Sequence, residues 1–402
     1  MAASFDFPAT LAAARAAAAA VRPDDYARSR NFLDGAVTRQ SPYLTHGLLS
    51  TAEILRRVQA RQTVSAHHKL VFELGWREYY RHVWAHRGTG ILQSLHPGVL
   101  PDDAYSPSLP SDIREARTGI PVIDETVRTL YAHGYIHNHA RMWLASYVIH
   151  LRKIHWRTGA DWLYAHLLDG DLASNHLSWQ WVAGTSSPKP YLFNAENVAR
   201  YAPPPYHSPG TVIDTSYADL DTLARETSPI PTAPSALSAT VEPTRYHESN
   251  LLENVSSPDP ELIRNRSVWL VHPWSLGALP EALSTDVIVI AYLPQEFHAL
   301  WPWSDRRWAF VSERLTALTP HTWFTDTASL ASALTSARTV QTWADPHIDP
   351  WLPSTVQRQN PETIFPLLAS RCDSFSRWWH QVNPPTASRT QPSDPASQLS
   401  LL

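Results

Sequence analysis

DGDLASNHLSWQWVAGT, residues 169–185, gathers two acids, an asparagine and two tryptophans into seventeen positions. On a helix, positions i and i+2 diverge by about 200°. Trp179 and Trp181 therefore face different surroundings, one toward a cavity and one toward a neighbouring helix. Asp169 and Asp171 precede the helix, where acids suit its N-terminus. Asp171 also reads as an acceptor for a ligand N–H or ribose hydroxyl. Plain capping accounts for one acid but not for the array.

Outward from this stretch, Tyr43 to about Ala183 is patterned for helices. SPYLTHGLLSTAEILRRVQA, HHKLVFELGWREYYRHVWA, PVIDETVRTLYAHGY, NHARMWLASYVIHLRK and GADWLYAHLLD repeat apolar residues at three and four, with Pro and Gly mostly between them. From Pro203 to about Arg266 the composition shifts to Pro, Ser and Thr, which predicts a linker containing one short helix, YADLDTLARE. Beyond it SVWLVHP, DVIVIAYL and HTWFTD read as buried strands alternating with helices, hence a parallel α/β sheet. No Gly-rich loop follows the first strand, so nucleotide binding there lacks support. The expected fold class is multidomain α and α/β: an all-helical domain over 1–202, a linker over 203–266, a smaller α/β domain over 267–380 and a disordered tail over 381–402.

The 402 residues exceed the usual size of a single core, and 43% are hydrophobic. No apolar run approaches the ~20 residues of a membrane span. The alanine-rich start lacks a basic segment and is interrupted by Arg15, so it reads as a surface-packed helix rather than a signal peptide. A single cysteine, Cys372, excludes a disulfide framework and suits a cytoplasmic protein. Residues 1–202 carry a balance of +4 and residues 203–402 one of −8, so only the first half suits a polyanion. Thirty arginines against three lysines suit phosphate contacts, and GC-rich coding yields the same skew.

Three further clusters lie in the helical half. Thr38, Arg39, Gln40 and Ser41 stand before a helix that Pro42 opens; they read as a diphosphate cradle or as an ordinary N-cap beside an arginine. Glu73, Trp76 and Arg77, at i, i+3 and i+4, share a helix face fit to bond, stack on and neutralise a nucleotide, or simply to form surface ion pairs. Asn138, Arg141 and Met142 repeat that spacing. The letters His137-Asn138-His139 are a weak match to a nuclease metal motif, and no metal site is expected.

With these motifs in their order, residues 7 to 202 resemble the flavin-binding domain of the DNA photolyase and cryptochrome family. The resemblance implies FAD in an all-helical domain and light-driven electron transfer to a pyrimidine dimer flipped out of DNA. It assigns Tyr26, Thr38, Arg39, Gln40, Ser41 and Arg77 to the diphosphate and ribityl chain. Asn138, Asp169, Asp171 and Asn175 fall around the adenine and isoalloxazine, with Arg141 paired to Asp169 and Asn175 facing flavin N5. Glu73, Trp76, Asn138, Met142 and Trp181 match the cavity for a cyclobutane dimer, and Met142 stands where enzymes for (6-4) products have a second histidine. Trp179 and Trp156 match the first two members of the electron-transfer chain; the third position is Asp103, which leaves Trp143 or Trp162 as substitutes. Tyr135 replaces a common tryptophan and His139 a phosphate-binding arginine, which implies weaker DNA affinity and a preference for single strands.

The order of domains is reversed relative to that family. SVWLVHPWSLGALPEAL and WSDRRWAFVSERLTAL resemble antenna-domain segments, as a circular permutation gives, but no antenna chromophore follows from them. The expected function is a cyclobutane-dimer lyase acting on DNA as a monomer without membrane attachment. The alternative is a cryptochrome-like blue-light receptor without repair activity.

Overall fold

The computed structural model describes residues 6–231, 238–248, 250–252 and 254–383. They divide into two compact units, neither continuous in sequence. One comprises residues 21–38, 63–243 and 365–383 and is helical; the other comprises 6–20, 39–62 and 244–364 and contains the sheet.

In the helical unit, Leu172–Ala183 packs against Lys69–Arg87, Asn138–Ser146 and Trp156–His166. All of its residues are buried except Trp181. Such a helix has no solvent face, so its polar residues must be satisfied by neighbours. Boundaries follow local chemistry. Pro121 occupies the first turn of Pro121–His133, where its missing N–H costs nothing, and Gly134 ends that helix in the left-handed region. Asn138–Ser146 widens into a π turn at Tyr147–Leu151. Trp143, Tyr147, Leu163 and Trp179 form part of the core between these helices.

In the other unit the strands are β1 (Arg245–Tyr246), β2 (Val255–Ser256), β3 (Ser267–Val271), β4 (Ile288–Pro294), β5 (Trp303–Ser304), β6 (Thr322–Thr325), β7 (Thr339–Trp343) and β8 (Gln357–Gln359). Six make a parallel sheet in the order β2-β6-β4-β3-β7-β8, and β1 pairs antiparallel with β5. The expected strands are present, and the stretch read as DRRWAFVSERLTAL is helix Asp305–Leu318.

Three expected boundaries differ. Residues 6–20 and 39–62 do not join the helical unit. Helix Leu11–Ala19 buries Ala14 and Ala18 and packs on Thr51–Gln59. Gly47, at φ +62°, lets the backbone approach the Trp274 carbonyl so closely that a Cβ would collide with it. His46 accordingly bonds the Pro273 carbonyl through Nδ1 at 2.7 Å.

Residues 203–231 and 238–243 are not a free linker either. Helix Tyr217–Arg225 buries Leu220 and Ala224, and Lys153 donates to the carbonyls of Leu223 and Ala224 at 2.7 and 3.0 Å. Arg114 pairs with Glu242 at 2.9 Å. The chain orders here because these scattered apolar residues find a preformed helical surface, which composition alone does not reveal. Finally, the expected tail begins inside helix Phe375–Val382, and residues 384–402 lie outside the described residues. Among the described residues, no helix is long and apolar enough to cross a membrane.

The packing of 203–243 is testable. Leu220→Ala is expected to destabilise the helical unit by about 2–5 kcal/mol, as for other buried leucines. Tyr217→Ala, at 49% exposure, should cost under about 0.5 kcal/mol. Urea unfolding followed by circular dichroism separates the two; equal, small effects would restore the linker.

Candidate functional site

Helix Lys69–Arg87 starts at His68, whose Nδ1 accepts the Leu70 N–H at 3.1 Å. Its buried face presents Glu73, Trp76 and Arg77, as the three-four spacing requires. Glu73 is fully buried, with Oε1 3.3 Å from Lys69 Nζ and 3.6 Å from Arg30 Nε. Arg77 and Arg81 both reach Asp171 Oδ2, at 3.4 and 3.0 Å.

Asp171 thereby has two roles. Its Oδ1 accepts the Ser174 N–H at 2.8 Å, capping helix Leu172–Ala183, while its Oδ2 gathers two guanidinium groups. Its side-chain oxygens are thus engaged within the protein, and the capping reading is the one observed. Arg77 is likewise tied to that acid.

Asp169 lies in the turn before this helix. Arg141 Nη2 sits 2.7 and 3.0 Å from its two oxygens, and Arg141 Nε donates to the Ile136 carbonyl at 2.9 Å. The pair is nearly solvent-free, with side-chain exposures of 3% and 0%. Asn175, one turn into the helix, donates to the Ala160 carbonyl at 2.8 Å. Asn138 begins its own helix and donates to Met142 Sδ at 3.5 Å.

Several buried polar atoms on these helices lack a protein partner: Asn138 Oδ1, Trp76 Nε1 and Ser174 Oγ. Native proteins rarely leave such atoms unsatisfied. Each of these atoms has capacity left for a polar ligand group.

Tyr26 is buried in helix Pro23–Ser29, and Thr38 also belongs to the helical unit. Arg39, Gln40 and Ser41 are counted with the other unit. Helix Ser41–Thr45 has only five residues and no side-chain cap, so the expected helix-terminal cradle is weak; Arg39 is exposed at φ +53°.

Trp76 and Trp181 line one cavity of about 220 Å³, together with Tyr79, Tyr80 and Leu177. Glu73, Asn138 and Met142 are not among its lining residues. Glu73 lies instead toward Lys69 and Arg30, and Asn138 toward Met142. The cavity also has a wall that the sequence did not suggest. Phe375 lies parallel to Trp76, with ring centroids 3.9 Å apart at 8°.

Trp179 lies over Gly159, where any Cβ would enter its ring. Trp156 is buried and donates Nε1–H to Ser94 Oγ at 2.9 Å. Asp103 is exposed in the short 3-10 turn Asp102–Ala104. Trp143 and Trp162 are buried, bonded to Asn197 at 3.1 Å and Glu242 at 3.2 Å respectively. Among the described residues, no three His, Cys, Asp or Glu side chains gather to hold a metal.

Sequence reasoning missed Arg81, Arg30, Lys69 and Phe375. Arg81 was legible, standing four residues after Arg77 on the same face. Phe375, some three hundred residues from Trp76, was not.

Comparison with known proteins now bears on this site. The family model described as the FAD binding domain of DNA photolyase matches residues 70–204. The deoxyribodipyrimidine photo-lyase of Streptomyces griseus is 34% identical over 170 residues, covering 40% of this chain and 36% of that one. The Escherichia coli K12 enzyme of the same name is 34% identical over 173 residues, with coverages of 40% and 36%. Rice cryptochrome DASH is 33% identical over 169 residues, with coverages of 40% and 29%. The chain spans about a third of the length of these curated relatives. FAD fits the unpartnered atoms: its ring and ribityl groups both donate and accept, as Asn138 Oδ1, Trp76 Nε1 and Ser174 Oγ require.

His139 yields a prediction. Burial first, and the charge of Arg30 second, push its imidazole down to about 4. The unfolded chain binds the proton at about 6.5, so the stabilising contribution is complete above pH 6.5 and lost as pH falls toward 4. His139→Gln should remove about 2 kcal/mol of the stability lost between pH 7 and pH 5. Urea unfolding at both pH values checks this; an unchanged loss would mean that folded His139 protonates normally.

Proposed function

We propose that the chain belongs, through residues 70–204, to the photolyase and cryptochrome family, and that it is a light-driven lyase for cyclobutane pyrimidine dimers. The observation that carries this reading is the pair Trp76 and Trp181 on one cavity. Two flat aromatic walls suit two linked pyrimidines, since base–aromatic stacking is worth ~1–3 kcal/mol per base. A dimer is also cheaper to extrude than an intact pair, because its own stacking is already damaged.

The flavin would be held by the helices around Leu172–Ala183. Asn138, Asn175 and the pairs Arg141–Asp169 and Arg77–Asp171 would orient it, with Tyr26 and Thr38 from the same unit. Bound there in its reduced form, FAD would supply light-driven one-electron chemistry to a dimer in the neighbouring cavity. Glu73, Asn138 and Met142, which the family pattern assigns to the lesion site, would need to reach the bases from outside the lining of the Trp76–Trp181 cavity. Trp179 and Trp156, both buried, would serve as electron carriers for a flavin held there. We read the protein as a cytoplasmic monomer. A buried, neutral His139 supplies no phosphate contact, which supports a preference for single-stranded DNA.

One observation favours a second reading, a blue-light receptor without repair. Phe375 covers the Trp76 face that a base would use.

The deciding experiment is loss of the lesion from an oligonucleotide carrying one thymine dimer, single- and double-stranded, lit and dark, with the flavin reduced. Light-dependent return of intact thymines, faster on single strands, is expected. Trp181→Ala should weaken dimer binding roughly 5- to 150-fold, the equivalent of ~1–3 kcal/mol, and Glu73→Ala should abolish reversal while flavin remains bound. Persistence of the dimer under light with reduced flavin present would promote the receptor reading.

A further inference from the structure

The contact between Phe375 and Trp76 differs from ordinary aromatic packing. Rings in protein cores prefer offset or edge-on arrangements, with centroids 4.5–7 Å apart. Here the planes are 8° from parallel at 3.9 Å, so the phenyl ring covers the indole as a stacked base does. Trp76 Nε1 has no partner, although the indole face is filled.

The chain that delivers Phe375 has an anchor and a free end. The anchor is the far part of helix Phe375–Val382. Trp379 lies on Gly75, where a Cβ would stand 2.6 Å from its ring, and it meets Phe72 edge-on at 5.1 Å. Glycine inside helix Lys69–Arg87 lowers helix propensity; the seat for Trp379 is its structural reason. Phe365 donates its N–H to Glu78, and Asn383 Nδ2 donates to the Ala66 carbonyl at 3.1 Å.

The free end is 371–376. Arg371, Asp373, Ser374 and Ser376 are exposed. Its ties include the Cys372 N–H to His82 Nε2 at 3.0 Å, a partly exposed ion pair, Arg87 to Asp373, at 3.6 Å, and edge-on contacts of Phe375 with Phe72 at 4.9 Å and Tyr79 at 5.6 Å. Exposed pairs of this kind hold weakly. The same residues wall the cavity that Trp181 lines. At about 220 Å³, that cavity is below the range of about 300–1,000 Å³ usual for ligand pockets. A pyrimidine and Phe375 cannot both lie on the same face of Trp76.

We propose that the segment 371–376 is an internal occupant of the lesion cavity, with Phe375 holding the place of a base until a flipped pyrimidine dimer displaces it. The proposal rests on reading the Trp76–Trp181 cavity as the lesion pocket. Binding of damaged DNA is then coupled to release of the segment. Apparent affinity falls by the fraction of molecules in which the segment is withdrawn, and damaged DNA in turn drives the segment out.

The test is dark binding of a single-stranded thymine-dimer oligonucleotide to the full chain, against its undamaged counterpart. Phe375→Ala removes the occupant; Gly75→Ala unseats its anchor without touching Phe375 and strengthens the host helix. Both variants are expected to bind the damaged strand about tenfold tighter than the parent, with little change for the undamaged strand. Hydrogen exchange in the parent should show the amides of 371–376, Cys372 foremost, losing protection when the damaged strand is added. Trp181→Ala should abolish the selectivity in either background.

If Phe375→Ala and Gly75→Ala bind no tighter while the parent still discriminates damage, Phe375 is a fixed wall and the proposal fails alone. Unchanged protection of 371–376 on binding would overturn it equally. If none of the proteins discriminates the damaged strand, the lesion-pocket reading falls and carries the proposal with it.

Discussion

The Asp171 carboxylate is the constraint on which the helical unit depends. One oxygen caps helix Leu172–Ala183 through the Ser174 N–H; the other draws in Arg77 and Arg81 from helix Lys69–Arg87. A helix enclosed on nearly all sides cannot choose its rotation by turning a polar face to water. Its orientation must be fixed by specific bonds, and a charged cap shared with a neighbouring helix does this at the N-terminus. Two residues earlier, Asp169 pairs with Arg141 and ties the start of this segment to helix Asn138–Ser146. Removing one partner of such a buried pair is strongly destabilising, by roughly 3–5 kcal/mol, because the remaining charge is left without a counterion.

Enclosure also explains what Trp181 does. It is the residue of Leu172–Ala183 that escapes burial, while Trp179, two positions away, lies against Gly159 in the core. The divergence of i and i+2 on a helix thus separates an inward tryptophan from one that reaches a cavity. The proposed function needs those two environments close together but distinct. A single rigid helix supplies both without a moving part.

The later chain acts on this scaffold in two ways. Residues up to 243 complete the helical unit by offering Leu220, Ala224 and Glu242 to surfaces already formed. After the parallel sheet, residues 365–383 return to the same unit and lay Phe375 on Trp76. The second return changes what the site can accept. The helix motif read alone implies an open aromatic platform, whereas the folded chain covers that platform with its own side chain.

Much of the secondary structure was legible in the sequence, because it is decided by local interactions. The three-four repeats predicted the helices Lys69–Arg87, Pro121–His133 and Trp156–His166, and the apolar runs predicted β3, β4 and β6. Edge strands of two or three residues, β2 and β8, were not legible, since only a partner strand makes them strands. At the candidate site, the spacing of Glu73, Trp76 and Arg77 determined that they share a face, and the pairing of Arg141 with Asp169 followed from the family pattern. Tertiary structure alone decided that Asp171 is consumed by Arg77 and Arg81, that Glu73 turns to Lys69 and Arg30, and that residues 39–62 join the sheet unit. Periodicity specifies which side of an element is buried; it carries no information about which distant surface covers it. Phe375 on Trp76 is the plainest case, for the shape that brings those rings together exists only after both parts of the chain have folded.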